Sequence, residues 1–165
     1  FKPYKVGDYI EAQGNEGTVK EILLFHTIIQ TVDLRTIYIP NGQMSTTVVI
    51  NQSRSEIRRA QWIVSIEYGN DVAHAKEVIQ KCLDAEPRLL REPISEEGEP
   101  LDPFFIEVTN LNASSVDLTV HAYVKRVDFL DVRFKMNEAI YAAIDADPTL
   151  NIPFPTNTIH IVNKK

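Results

Sequence analysis

Residues 3–51, PYKVGDYIEAQGNEGTVKEILLFHTIIQTVDLRTIYIPNGQMSTTVVIN, decide the fold. Turn residues at Gly7-Asp8, Gly14-Asn15, Asp33 and Pro40-Asn41-Gly42 divide the stretch into short runs rich in β-branched side chains, the pattern of a small closed or half-closed β-barrel. Tyr9 to Ala12 alternates weakly, a strand is expected to resume at Thr18 to Ile22 after a turn from Gly14 to Gly17, and Phe25 to Val32 reads as the next strand. Thr36 to Ile39 should end at Pro40, which has no N–H for a ladder. Asn41-Gly42 predicts a tight positive-φ turn, with a last strand over Thr46 to Ile50.

Outward from this stretch the chain turns polar and basic. Residues 52–61, QSRSEIRRAQ, read as the join between two domains, and Arg54, Arg58 and Arg59 are expected to be solvated and paired with Glu56 and nearby carboxylates. Trp62 to Tyr68 alternates as a half-buried strand, and Gly69-Asn70-Asp71 breaks it and offers a helix cap. Val72, Ala75, Val78, Ile79, Cys82 and Leu83 then lie on one helical face. Arg91 to Pro103, with three prolines and five acidic residues, reads as a mobile loop with little to bury.

Phe104 to Val108 and Val116 to Val124 are expected strands around a polar turn, Thr109 to Ser115. Asp128 is placed to cap a second helix with Val132, Met136, Ala139, Ile140 and Ala143 inward, ending near Asp147-Pro148, and Thr158 to Val162 reads as a final strand. The order strand, helix, strand, strand, helix, strand is the ferredoxin-like arrangement. The expected fold class is therefore α+β, a small barrel over residues 1–60 followed by a ferredoxin-like α/β sandwich over residues 61–165.

Composition narrows the function. At 165 residues and 44% apolar content the chain can fill one or two small cores. Its net charge of −6 disfavours a general phosphate-binding surface. No apolar run approaches the roughly 20 residues that cross a bilayer, so the chain is expected to be soluble. It begins at Phe1 without a signal-like segment, which suggests an excised fragment. Cys82 stands alone, excluding an intrachain disulfide, and reads as a buried structural thiol.

No catalytic, cofactor or metal residues are proposed. His26, His74, His121 and His160 fall in separate elements with no ligand spacing, and His121 and His160 sit on the polar phases of expected strands. Glu96, Glu97, Glu99 and Asp102 lack the alternating oxygen ligands of a calcium loop. Glycine-rich nucleotide motifs and the nucleophile elbow are also missing.

Several of these residues carry a resemblance. Pro3 with Val6-Gly7-Asp8, Gly14 with Glu16-Gly17-Thr18-Val19, Asp33 before Ile39-Pro40-Asn41-Gly42, Ile50-Asn51, and Ser53-Arg54 followed by Arg58-Arg59 together resemble the β-domain of the small-conductance mechanosensitive channel (MscS-like) family. More loosely, Tyr68 with Asp71, Leu111 to Ser115 (LNASS) and Ile152 to Pro155 (IPFP) resemble its C-terminal α/β domain; Leu24 to Thr27, with His26, departs from the pattern. The resemblance implies an Sm-like β-domain and a cytoplasmic cage below membrane helices not included in this chain. It also implies a homoheptamer at the cytoplasmic face of the inner membrane, an axial barrel built from Thr158 to Val162, and passage of ions and small osmolytes under membrane tension. It implies no enzyme, no cofactor and no nucleic-acid partner. Portal carboxylates would disfavour anions. Two rival readings stand beside it: a ligand-sensing or enzymatic module on the same two folds, and an Sm-like RNA-binding ring, which the acidic balance disfavours.

Overall fold

Strand β1 (Tyr9–Ala12) turns into β2 (Asn15–Ile22) through only two residues, Gln13 and Gly14, both at positive φ (55° and 71°). Paired positive φ is the hairpin turn whose twist matches that of the strands, and Ala12 faces Asn15 across it. The strand expected to resume at Thr18 therefore starts three residues earlier. Gly17 pairs with Ile10 in this ladder, and a Cβ there would run into the backbone carbonyl of Gln30. The computed structural model that shows this describes residues 2–164.

β3 (His26–Gln30) and β4 (Thr36–Pro40) continue the antiparallel meander, with a register shift between Val19 and Glu21 of β2. Asn41-Gly42 does not make the expected positive-φ turn. It opens a one-turn helix, α1 (Asn41–Met44), because the Asn41 side chain is engaged elsewhere: Nδ2 donates to the Leu23 and Leu24 carbonyls at 2.8 and 3.1 Å. Thr46 and Thr47 donate their N–H groups to Gln43, which delays the last strand to β5 (Val49–Asn51). Tyr4, Ile10, Ala12, Val19, Ile29, Ile39 and Met44 form the core of this part.

The strand order is β4-β3-β2-β1-β5, so β4 and β5 are both edges and the expected barrel is not closed within the described chain. β5 is only three residues long and spends its single paired edge on β1.

The backbone divides into two compact units between Glu56 and Ile57. In the second, β6 (Ile57–Ile66) begins five residues before the expected Trp62 and takes in Arg58 and Arg59. The reason is tertiary: β6 pairs with β8 (Val116–Lys125) without a break from Ile57↔Lys125 to Ile66↔Val116. β7 (Phe104–Leu111) pairs along the other side of β8, giving the order β6-β8-β7.

Helix α2 (Val72–Ala85) starts at Asp71, whose carboxylate accepts from the His74 N–H, as expected of that cap. Helix α3 (Phe129–Ala146) follows a 3-10 turn at Arg126–Asp128; Asp128 occupies the cap position but makes no side-chain cap bond, because the preceding turn holds its backbone near αR. Its buried face is Phe129, Val132, Met136, Ile140 and Ile144, whereas the expected Ala139 is exposed. Both helices pack on one sheet face, against Ala60, Trp62, Val64 and Ile66 of β6 and the even-numbered residues of β8.

Loop 86–103 is more anchored than its composition suggests. Leu89 is buried and bridges Val124, the Leu90 N–H donates to the Tyr123 carbonyl, and Ile94 bridges Pro100. The expected closing strand over Thr158 to Val162 is not part of this sheet. Residues 151–164 join no ladder, and Ile159, Ile161 and Val162 are exposed, because the tail is tied across one end of the sheet, by Asn151 to Glu67 and Asn70 and by the Thr156 N–H to Ser114, instead of running along an open edge.

Candidate functional site

The residues that stand out as motifs act first as clamps. Asp8 is buried, and its carboxylate accepts from the Lys5 N–H at 3.0 Å and from Asn51 Nδ2 at 2.8 Å, while Asn51 also reaches the Pro3 carbonyl. The VGD and IN segments are thereby locked together across 43 residues. Thr27 bridges Tyr4 and Asn41 with bonds of 3.0 and 2.8 Å, tying the start of the chain to the PNG segment. A shallow cleft of about 560 Å³ opens there, lined chiefly by Lys2, Tyr4, Ile22, Met44 and Val49. Among the described residues that line it there is no carboxylate, histidine or cysteine.

In the second unit the LNASS segment is tied the same way. Asp117 accepts from Ser65 at 2.6 Å, Asn112 at 2.7 Å and Ser115 at 3.2 Å, and the Tyr68 hydroxyl donates to the Asn112 carbonyl. The Ser65 bond above all, with Asn112 and Ser115, holds the Asp117 carboxyl below its ordinary range despite some burial. These are hydrogen-bonded corners, and among the described residues no buried side-chain polar atom lacks a partner.

The histidines stay apart. His74 donates to Asp147 at 2.5 Å and lies 3.9 Å from Glu77, and Asp147, held chiefly by Thr149 and then by His74, is lowered to about 2. His121 donates to Gln61 at 2.8 Å and stacks on Phe105 at 4.9 Å; burial, then Arg59, pushes its pKa below 6.5. His26 and His160 are exposed, the latter outside any strand. Among the described residues no group of three His, Cys, Asp or Glu side chains could hold a metal. Cys82 is half-buried, 3.7 Å from the Ala139 carbonyl, and burial pushes its thiol up, away from reactivity.

The basic join differs from expectation. Among the described residues Arg54, Arg58 and Arg59 make no ion pair with Glu56; instead the Arg58 guanidinium lies 3.7 Å from the centre of the Phe129 ring. Burial, and then the nearby Arg133, lower its pKa.

What the molecule does present is surface for association. Among the described residues four strand edges are open: β4, β5, β6 and β7. Large apolar side chains are exposed as well. At the β2–β3 turn Leu24 and Phe25 are 83% and 71% exposed, and on α3 Leu130, Phe134 and Tyr141 are each more than half exposed. Open edges with apolar flanks are the mark of a chain that pairs with others. The α3 row was not recognisable from the chain alone, because an apolar residue one step off a helix's buried face looks like core.

The chain is similar to several known proteins. A sequence profile described as "Mechanosensitive ion channel, beta-domain" matches residues 1–54. The small-conductance mechanosensitive channel of Edwardsiella ictaluri is 30% identical over 161 residues, 98% of this chain and 53% of that protein. The crystal structure of Helicobacter pylori MscS in its closed state superposes with a TM-score of 0.86 at 29% identity, covering 98% of this chain and 60% of that one. The chain belongs to the MscS family of mechanosensitive channels. Arabidopsis thaliana MSL1, at 20% identity and a TM-score of 0.64 over 87% of the chain, shares the fold. The MscS-family chain spans about half the length of the relatives it matches. The family is one of channels, not enzymes. Among the described residues no helix is long and apolar enough to cross a membrane.

Proposed function

We propose that this chain is the cytoplasmic cage of a channel that opens under membrane tension and releases ions and small osmolytes. The observation that carries the reading is the superposition of 98% of the chain on closed-state Helicobacter pylori MscS, across both compact units. In this reading residues 1–60 are the Sm-like β-domain, and its open edges β4 and β5 are completed by neighbouring copies in a ring beneath the inner membrane. Residues 61–165 are the ferredoxin-like wall. The exposed alternation of Thr158 to Val162 supplies one strand of an axial barrel, which explains why a single chain leaves it unpaired. The partner is the chain itself, as a homoheptamer.

Light scattering after size exclusion tests the assembly. A closed ring near seven chains supports the cage, and patch-clamp recording of the full-length protein should then show tension-activated conductance. A full-length protein that stays monomeric, or a membrane patch that is silent under tension, refutes the reading.

A further inference from the structure

Arg58 and Arg133 come together at one end of the crevice between β6 and α3. On β6, Arg58 shares a face with Ala60 and Trp62, which pack against the helices, and its half-buried guanidinium lies 3.7 Å from the centre of the Phe129 ring. Arg133 follows Phe129 by one turn of α3 and so stands on the same side of it. Its carbonyl accepts from Trp62 Nε1 at 3.0 Å, which holds that turn against the strand. The two cations are near enough for Arg133 to disfavour the charge on Arg58.

Like charges brought together in this way need an offset, and the chain provides none. Among the described residues neither guanidinium makes an ion pair. Asp131, the carboxylate between Phe129 and Arg133, is taken by Arg88 at 2.6 Å. Asp128 makes no ion pair among the described residues. Glu138 and Asp145, the next carboxylates of α3, lie roughly 8 and 18 Å beyond Arg133 along the helix axis. Stacking occupies the face of the Arg58 guanidinium and leaves its N–H edge to donate.

We propose that this end of the crevice binds a phosphate oxyanion, held between the N–H edges of Arg58 and Arg133. A guanidinium fork matches two phosphate oxygens, and the Phe129 ring fixes the plane of one of the two forks. A doubly charged anion between them replaces mutual repulsion by charge-assisted hydrogen bonds on both sides. Arg58 is the second residue of β6 and Arg133 the fifth of α3, so the bound anion staples the start of the strand to the start of the helix. Inorganic phosphate and the headgroup of an anionic lipid share this chemistry. The site is complete within one chain and needs no ring.

Calorimetric titration of the 165-residue chain with inorganic phosphate, at constant ionic strength balanced with chloride, tests the site. Saturable binding of one phosphate per chain is expected. Arg58→Gln and Arg133→Gln should each weaken it about tenfold, Arg133→Lys should weaken it less because the charge stays, and Arg54→Gln should leave it unchanged. Unchanged melting of the exposed Arg133 variants in chloride verifies folding. Co-sedimentation with phosphatidylglycerol vesicles, against phosphatidylcholine vesicles, separates the two sources: uptake that Arg133→Gln abolishes, without binding of soluble phosphate, assigns the site to a lipid headgroup. Binding of neither probe, or a loss as large in Arg54→Gln as in Arg133→Gln, overturns the proposal.

Discussion

Gly17 shows how little room the first unit has at one atom. Its strand passes so close to the Gln30 carbonyl that any side chain displaces backbone, not a flexible neighbour. Gly17→Ala should therefore cost about 3 kcal/mol, at the upper end of overpacking penalties, measured as a lowered denaturation midpoint of the first unit. Gly42→Ala, which meets open space and a non-positive φ, serves as the control that should be nearly silent. His121 provides a pH-dependent counterpart. Burial and Arg59 favour its neutral ring in the folded state, so the unfolded chain binds the proton more readily. Stability should fall as pH drops through about 6.5 toward the lowered value, and His121→Gln should flatten that slope. Melting temperatures at pH 7.5 and 5.5 for both proteins check the sign.

Elements differ in how they are started. Helix α2 is capped by an Asp71 side chain that accepts the His74 N–H, whereas α3 begins from a 3-10 turn and takes nothing from Asp128. Asp71→Ala should cost about 1 kcal/mol, and Asp128→Ala only a few tenths, read as chemical-denaturation midpoints of the same chain. The two carboxylates look alike in sequence, each just before an apolar helical run. Only the turn in front of them distinguishes their roles. The same lesson applies to β6, where a ten-residue partner in β8 draws Arg58 and Arg59 into a ladder that their local composition opposes.

For the whole molecule, Thr158 to Val162 is the part that joins no sheet of the single chain, whereas Asn151 still bonds Glu67 and Asn70 and the Thr156 N–H still reaches Ser114. Leu150 is buried, but Ile159, Ile161 and Val162 are exposed and unpaired. Deleting residues 158–165 should leave the far-ultraviolet spectrum and melting of the second unit nearly unchanged, while weakening assembly measured by light scattering. Loss of folding on this deletion would show that the tail belongs to the unit's own core.

Much of this protein was legible in its sequence, and the reason is local. Short β-branched runs, the alternation of Val116 to Val124, the Asp71 cap and the face of Val72 to Leu83 each report on neighbours within one turn or one strand, and the order of elements follows from them. The family motifs were legible too, yet their purpose was not: Asp8 read as a turn residue and Asn51 only as part of a motif, and folding shows them as the two ends of one clamp. What tertiary structure alone decided involves long-range partners. Whether Asn41-Gly42 turns or winds depends on carbonyls 17 and 18 residues away. Whether Arg58 meets a carboxylate or an aromatic ring depends on where Phe129 packs. Among the described residues the barrel stays open and Thr158 to Val162 unpaired; hydrogen bonds between strands depend on which edge lies alongside, and composition carries no record of that.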